Sequence, residues 1–336
     1  MIQIRKLLTL IVLPLTVISC KQGSKGDETL LPNVTGSAGE VVLVLPNQLL
    51  NDSVGVAYKK LLTADVPFLP QAEPMFNLIT IPPDAFNSIM KSHRNIIYNE
   101  IKSNSPAKLI LKYDVWAAPQ SVLFVIGPDY KTIEKIVKEK GDKIVAIFEQ
   151  AERKRTIQTA IKYEESEIAP VLEEKFNVRM HIPKGYKINF KRNNMVWISH
   201  ETPRISQGLI IYSFPFKDKN TFTADYLIAK RDSFVKNIEG PTKGSYMTTS
   251  MVIPPQLTPM MYKDRYYAVL RGLWDVYKHP MGGPFISYAT VDEKYNRVIV
   301  AEAYVYAPDS KKRNLLRQVE ALILDMEVID KNTPAK

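Results

Sequence analysis

The chain has 336 residues, with 45 Lys and Arg against 35 Asp and Glu, for a formal charge of +10. Hydrophobic residues make up 45% and aromatic residues 10%, which excludes a chain that is disordered over most of its length. Cys20 is the single cysteine, so an internal disulfide, a CxxC redox pair and a cysteine metal cluster are excluded as well.

The first element is an export signal. Arg5 and Lys6 precede an apolar run from Leu7 to Ile18, and the small Ser19 stands just before Cys20. The run is shorter than the roughly 20 apolar residues that cross a bilayer, and its basic, apolar and small-residue regions fit a removable signal over residues 1–19. The sequence Val17-Ile18-Ser19-Cys20 resembles a bacterial lipobox. That resemblance implies a lipidated thiol on Cys20, cleavage before it and acylation, palmitate included, of the new amino terminus. Several acyl chains on one residue, at about 0.8 kcal/mol per buried CH₂, would hold the protein firmly to membrane lipid. Lys21, in place of an acidic residue, resembles the sorting pattern for the outer membrane, with the protein facing the periplasm. Such an address leaves nucleic acid out as a partner. A polar, glycine-containing tether is expected over residues 20–30.

An N-terminal domain is expected over residues 31–165. Val41 to Leu45 reads as a buried strand, and Val54 to Leu62 has helical spacing. Pro67, Pro70 and Pro74 then impose an extended crossing. Strands are predicted at Asn77 to Ile81 and Asn95 to Ile101, with a short helix from Asp84 to Lys91 between them. Ala107 to Ala117 and Gln120 to Ile126 are predicted to pair. Two helices follow, one after Asp129 presenting Ile133, Ile136 and Val137, the other from Asp142 to about Tyr163 presenting Ile144, Ile147, Phe148 and Ala151. Within the second, Glu149 and Arg153 have i,i+4 spacing, and Arg153-Lys154-Arg155 reads as a solvated face.

A C-terminal domain is expected over residues 166–330. An amphipathic segment runs to Phe176, and strands are predicted at Val178 to Ile182, Tyr186 to Phe190, Met195 to His200 and Gly208 to Phe214. A helix from Thr221 to about Lys236 interrupts them, with Arg231 and Asp232 read as a solvated edge. Strands resume at Tyr246 to Ile253, Tyr262 to Trp274, Phe285 to Val291 and Arg297 to Tyr306. A last helix presents Leu315, Leu316, Val319, Leu322, Ile323 and Met326, with Asp309 or Ser310 able to cap its start. The fold class is therefore α+β: two domains of mainly antiparallel sheet covered by helices, the second compatible with an α/β/α sandwich.

Catalytic motifs are absent: there is no GxSxG elbow, HExxH or phosphate-cradling glycine loop. His93, His181, His200 and His279 are far apart in sequence, so no spacing points to a metal, and no cofactor is implied. The best local candidate for ligand binding is Gly272 to Pro284. Trp274 and Tyr277 offer flat apolar area, His279 a polar handle, and Gly282-Gly283-Pro284 a turn. The competing reading is a hairpin whose aromatics serve the core. Trp197 to Arg204 is a second segment of mixed aromatic and polar character, and in His93-Arg94-Asn95 the arginine can pair with a carboxylate.

The lipobox, Leu31-Pro32-Asn33-Val34-Thr35-Gly36-Ser37-Ala38-Gly39-Glu40, Leu69 to Pro74, His93-Arg94-Asn95 and Glu152-Arg153-Lys154-Arg155 together resemble an uncharacterised Bacteroidetes lipoprotein family defined by a domain of unknown function. This likeness runs over nearly all of the chain after the signal. It implies an envelope lipoprotein and supplies no activity. The second half, with Ile182-Pro183-Lys184-Gly185-Tyr186 leading its strands, Arg231-Asp232 in its helix and a final strand-helix pair, is similar in element order to the PsbP-type fold. The expected role is a binding or structural component of the cell envelope, with an envelope protein or glycan as partner and no enzymatic activity. The alternative is a hydrolase or transferase acting on envelope glycans through carboxylates the sequence does not single out.

Overall fold

In the computed structural model, residues 30–329 are described; Cys20, the signal and most of the tether lie outside them. The first half contains β1 (Glu40–Val44), α1 (Ser53–Leu62), β2 (Asn77–Ile81), α2 (Ser88–Lys91), β3 (Asn95–Ile101), β4 (Lys108–Tyr113), β5 (Ser121–Gly127), α3 (Tyr130–Glu139) and α4 (Gly141–Lys162). The second half contains α5 (Ile168–Phe176), β6 (Val178–Arg179), β7 (Lys187–Arg192), β8 (Met195–Glu201), β9 (Ser206–Pro215), α6 (Ala224–Val235), β10 (Met247–Ser250), β11 (Gln256–Tyr262), β12 (Arg265–Val276), β13 (His279–Asp292), β14 (Arg297–Tyr306), α7 (Arg313–Asp325) and β15 (Glu327–Val328). From Pro32 onward the described residues form one compact unit.

The α+β class holds, and antiparallel pairing dominates the molecule as a whole. The first sheet, ordered β2-β1-β3-β5-β4, is the exception: β1, β2, β3 and β5 run parallel and only β4 is antiparallel. Parallel neighbours need long crossovers, and α1 lies on the one from β1 to β2. One face carries Val41, Leu43, Ile97, Leu123 and Val125 against α1, α3 and α4. Asp129 starts α3 by accepting from the Thr132 amide at 2.7 Å, as its position after β5 predicts.

The second sheet is ordered β10-β12-β13-β14-β9-β8-β7, with β11 also paired to β12. Helices cover both faces. In β14, Ile299, Ala301, Ala303 and Val305 pack with α5 and α7, whereas Val298, Val300 and Tyr304 pack on the side of α6. Burial on both faces explains why β9, β13 and β14 are mostly apolar without a polar residue at every second position. On the α6 side, Arg231 and Glu302 are both fully buried. Arg231 donates from Nε to both carboxylate oxygens at 3.0 Å and from Nη2 to one of them at 2.8 Å, while its guanidinium sits 3.9 Å from the Phe285 ring. Arg231 is thus no solvated edge: its partner lies 71 positions away on β14.

Three local expectations change. The segment after β6 does not continue as a strand to Ile182; β6 is only two residues long and pairs with β15. The strand expected over Tyr246 to Ile253 ends at Ser250, and β11 follows it, disguised in the sequence by Pro259, which an edge strand tolerates. Lastly, the cap of α7 is neither Asp309 nor Ser310. Glu73, from the proline-rich crossing of the first half, accepts from the amides of Lys312 at 2.6 Å and Arg313 at 3.0 Å. The same helix is tied to the first half by Arg317 to Glu149 at 3.0 Å and by Asn314 to the Ala38 carbonyl at 2.8 Å.

Candidate functional site

Between α4 of the first half and α7 with one face of the second sheet lies a cavity of about 780 Å³, within the size range of small-molecule sites. It follows from side-chain spacing on two helices. Glu149, Glu152, Arg153, Thr156 and Ala160 recur at helical intervals along α4, and Arg313, Leu316, Arg317, Glu320 and Ala321 do so along α7. Tyr186, His200, Gln207, Met260, Arg271 and Tyr288 come from the sheet side, and Val66, Pro67 and Met75 from the proline-rich crossing.

The charge balance of the lining is uneven. Seven cationic side chains, Arg94, Arg153, Lys184, Arg155, Arg271, Arg313 and Arg317, face three carboxylates, Glu149, Glu152 and Glu320. Every carboxylate is already engaged. Glu149 accepts from Arg317 at 3.0 Å, and Glu320 accepts from Arg271 at 2.7 Å and from the Tyr288 hydroxyl at 2.6 Å. Glu152 accepts from Arg94 at 2.9 Å, from Arg155 at 3.1 Å and from the Asn95 amide at 2.7 Å. All three carboxylates that line the cleft are thus held by neighbouring side chains.

Several of the cations are equally committed. Arg155 is buried and donates to the carbonyls of Pro119 and Arg94 and to Asn95, and burial pushes its guanidinium down to about 10 against the pull of Glu152. Burial also opposes the charge on Arg271, but Glu320 and Tyr288 outweigh it and hold that group above its ordinary value. Tyr288 is raised well above the usual tyrosine range by burial and then by Glu320, so its hydroxyl stays a donor. By contrast, Arg153 and Lys184 make no ion pair among the described residues; Arg153 lies over the Tyr262 ring at 5.7 Å, and its charge also acts on the Tyr288 hydroxyl. Arg94 keeps its Nε buried without an acceptor.

The structure places the sequence candidates differently. Trp274 is 1% exposed, donates to the Val305 carbonyl at 3.3 Å and packs edge-on to Tyr304, so it has no face open to a ligand. Tyr277 is 46% exposed and lies over Tyr246, and His279 opens β13 opposite Val276. None of the three lines the cleft. The turn of this hairpin is Tyr277-Lys278, with Lys278 at φ 63, whereas Gly282 and Gly283 lie within β13. They are glycines because a Cβ there would run into the carbonyl oxygens of Trp274 and Val305.

Arg153-Lys154-Arg155 is not a uniformly solvated face: Lys154 is exposed, Arg155 is buried and Arg153 lines the cleft. Glu149 reaches Arg317 rather than Arg153. Arg94 does pair with a carboxylate, Glu152. From Trp197 to Arg204 only His200 reaches the cavity, 5.5 Å from the Tyr186 ring. No group of three or more His, Cys, Asp or Glu side chains able to hold a metal occurs among the described residues, and none of the described helices is long and apolar enough to cross a membrane.

Residues 165–324 match the family model of a domain of unknown function (DUF4837), and residues 34–160 match that of a second domain of unknown function (DUF8532). Both halves thus carry the signature of uncharacterised domain families. No curated protein matches the chain. Among solved structures it is similar to the Ran-binding protein Mog1p of Saccharomyces cerevisiae, at 7% identity and a TM-score of 0.31, over 46% of this chain and 91% of that one. It is also similar to the human StarD13 (DLC2) lipid transfer and protein localization domain, at 9% identity and a TM-score of 0.22, over 47% of this chain and 95% of that one. Likeness at that level carries nothing about function.

Proposed function

We propose that this chain is a lipid-anchored binding protein of a bacterial cell envelope, whose cleft between α4 and α7 takes an anionic ligand. The observation that carries the binding reading is the cationic surplus of the cleft, where all three carboxylates are engaged while Arg153 and Lys184 make no ion pair among the described residues. Arginine dominates that surplus, and its planar donor fork suits oxyanions such as phosphate or carboxylate. Anchoring through acylated Cys20 at the outer membrane, facing the periplasm, is supported by the lipobox. The two halves are read as two domains meeting near residue 165.

Inorganic phosphate is expected to raise the unfolding temperature of the full chain saturably, beyond chloride of equal ionic strength, because a ligand that binds only the folded state stabilises it. Arg153→Glu is expected to abolish that increment while leaving the unfolding temperature without phosphate within a few degrees. Equal responses to phosphate and chloride would sink the anion reading. For the anchor, Cys20→Ala is expected to move the protein from the membrane to the soluble fraction or to stall its maturation. Unchanged attachment, with no lipid found on Cys20, overturns that part.

A further inference from the structure

The cleft has a second chemical character besides its charge. Val66 and Met260, both half-buried, pack against the large core cluster of the second half and line the cavity together with Leu316, Ala321 and Leu322 of α7. Arg153 and Thr156 line it from α4. At about 780 Å³ the space equals roughly two dozen waters at their liquid volume. A lone inorganic anion would fill little of it and would leave the half-exposed Val66 and Met260 in contact with water, which is unfavourable in proportion to their area. A ligand that satisfies both parts carries an oxyanion and an alkyl body.

Resting on the anion-binding reading above, we infer that the ligand class is a single-chain anionic amphiphile, such as an alkyl phosphate, with Arg153 facing its head and Val66 and Met260 facing its chain. The chemistry of the head is shared by a free phosphate and by a lipid headgroup, and chain-length dependence separates the two. Each fully buried CH₂ contributes about 0.8 kcal/mol, which converts to about fourfold in affinity.

The test is a calorimetric titration of the full chain in phosphatidylcholine nanodiscs with inorganic phosphate, butyl phosphate, octyl phosphate and octanol, empty discs being subtracted. If Cys20 carries no lipid, the same series runs in buffer. Octyl phosphate is expected to bind at least about tenfold more tightly than butyl phosphate, with inorganic phosphate weaker still and competing for the site. Met260→Asp is expected to flatten the chain-length dependence while phosphate still binds, and Arg153→Glu to weaken every phosphate. Equal affinity for all three phosphates overturns the amphiphile and leaves the anion reading standing. Octanol binding as tightly as octyl phosphate, or no binding by any phosphate, overturns both. Should either variant fail to fold, the series on the unaltered protein decides alone.

Discussion

Glu302→Ala is expected to lower the stability of the fold by about 3–5 kcal/mol, because removing one member of a buried ion pair leaves the other charge without compensation. Arg231 is fully buried and three of its hydrogen bonds end on Glu302; it also donates to Thr249 at 2.8 Å and lies 3.6 Å from the partly exposed Asp232 carboxylate, a weaker partner than Glu302. Urea unfolding of the two proteins measures the difference as a fall in midpoint at unchanged slope. A midpoint within error of the parent would contradict the geometry. The double variant Arg231→Met with Glu302→Leu is expected to recover most of the loss, since apolar replacement of a buried pair is often neutral or stabilising. The titration of Glu302 points the same way. Burial raises its carboxyl above the usual value and Arg231 pulls it back only in part. A carboxyl raised on folding contributes stability below its unfolded value and loses that contribution as pH rises through its folded value. The parent is therefore expected to lose stability over that window relative to the double variant.

Trp274→Ala is expected to cost about 3–5 kcal/mol, the range for truncating a large buried aromatic. Its ring is enclosed by Tyr304 and Tyr306, at centroid distances of 5.4 and 6.3 Å, and by the strand pairing of β12 with β13. Tyr277→Ala, three positions on, removes an exposed ring that meets Tyr246 at 5.0 Å and the Lys278 ammonium at 5.1 Å, and about 0.5–1.5 kcal/mol is the expected loss. Thermal unfolding of both variants separates a core tryptophan from a ligand-facing one. A Trp274→Ala protein as stable as the parent would return that side chain to the surface.

Most elements were legible locally. The helices α1, α3 and α7 announce themselves through apolar residues at i, i+3 and i+4, and the strands β1, β5, β9 and β14 through apolar stretches that only Glu302 of β14 breaks at their centre. Asp129 could be read as a cap because its acceptor and the amide it binds are three residues apart. Glu73 could not, since the amides it binds lie more than two hundred residues away. Direction within the first sheet was hidden for a related reason. A strand buried on both faces shows the same apolar run whether its neighbours are parallel or antiparallel. The cleft was only partly visible: Arg94 and Arg153 were singled out in the sequence, but Arg271, Tyr288, Glu320 and Met260 reach it from strands and a helix with no shared motif.

What the sequence determined by itself is whatever depends on neighbours along the chain: the class of fold and the order of its helices and most of its strands. What tertiary structure decided is which charges are spent and which are open. Arg231 and Arg153 look alike as residues on helix faces, yet one is sealed against Glu302 in the core and the other lines a cavity with no carboxylate paired to it among the described residues. That difference is set by partners brought together across the chain, and burial then makes an unmatched charge costly and a matched one stable.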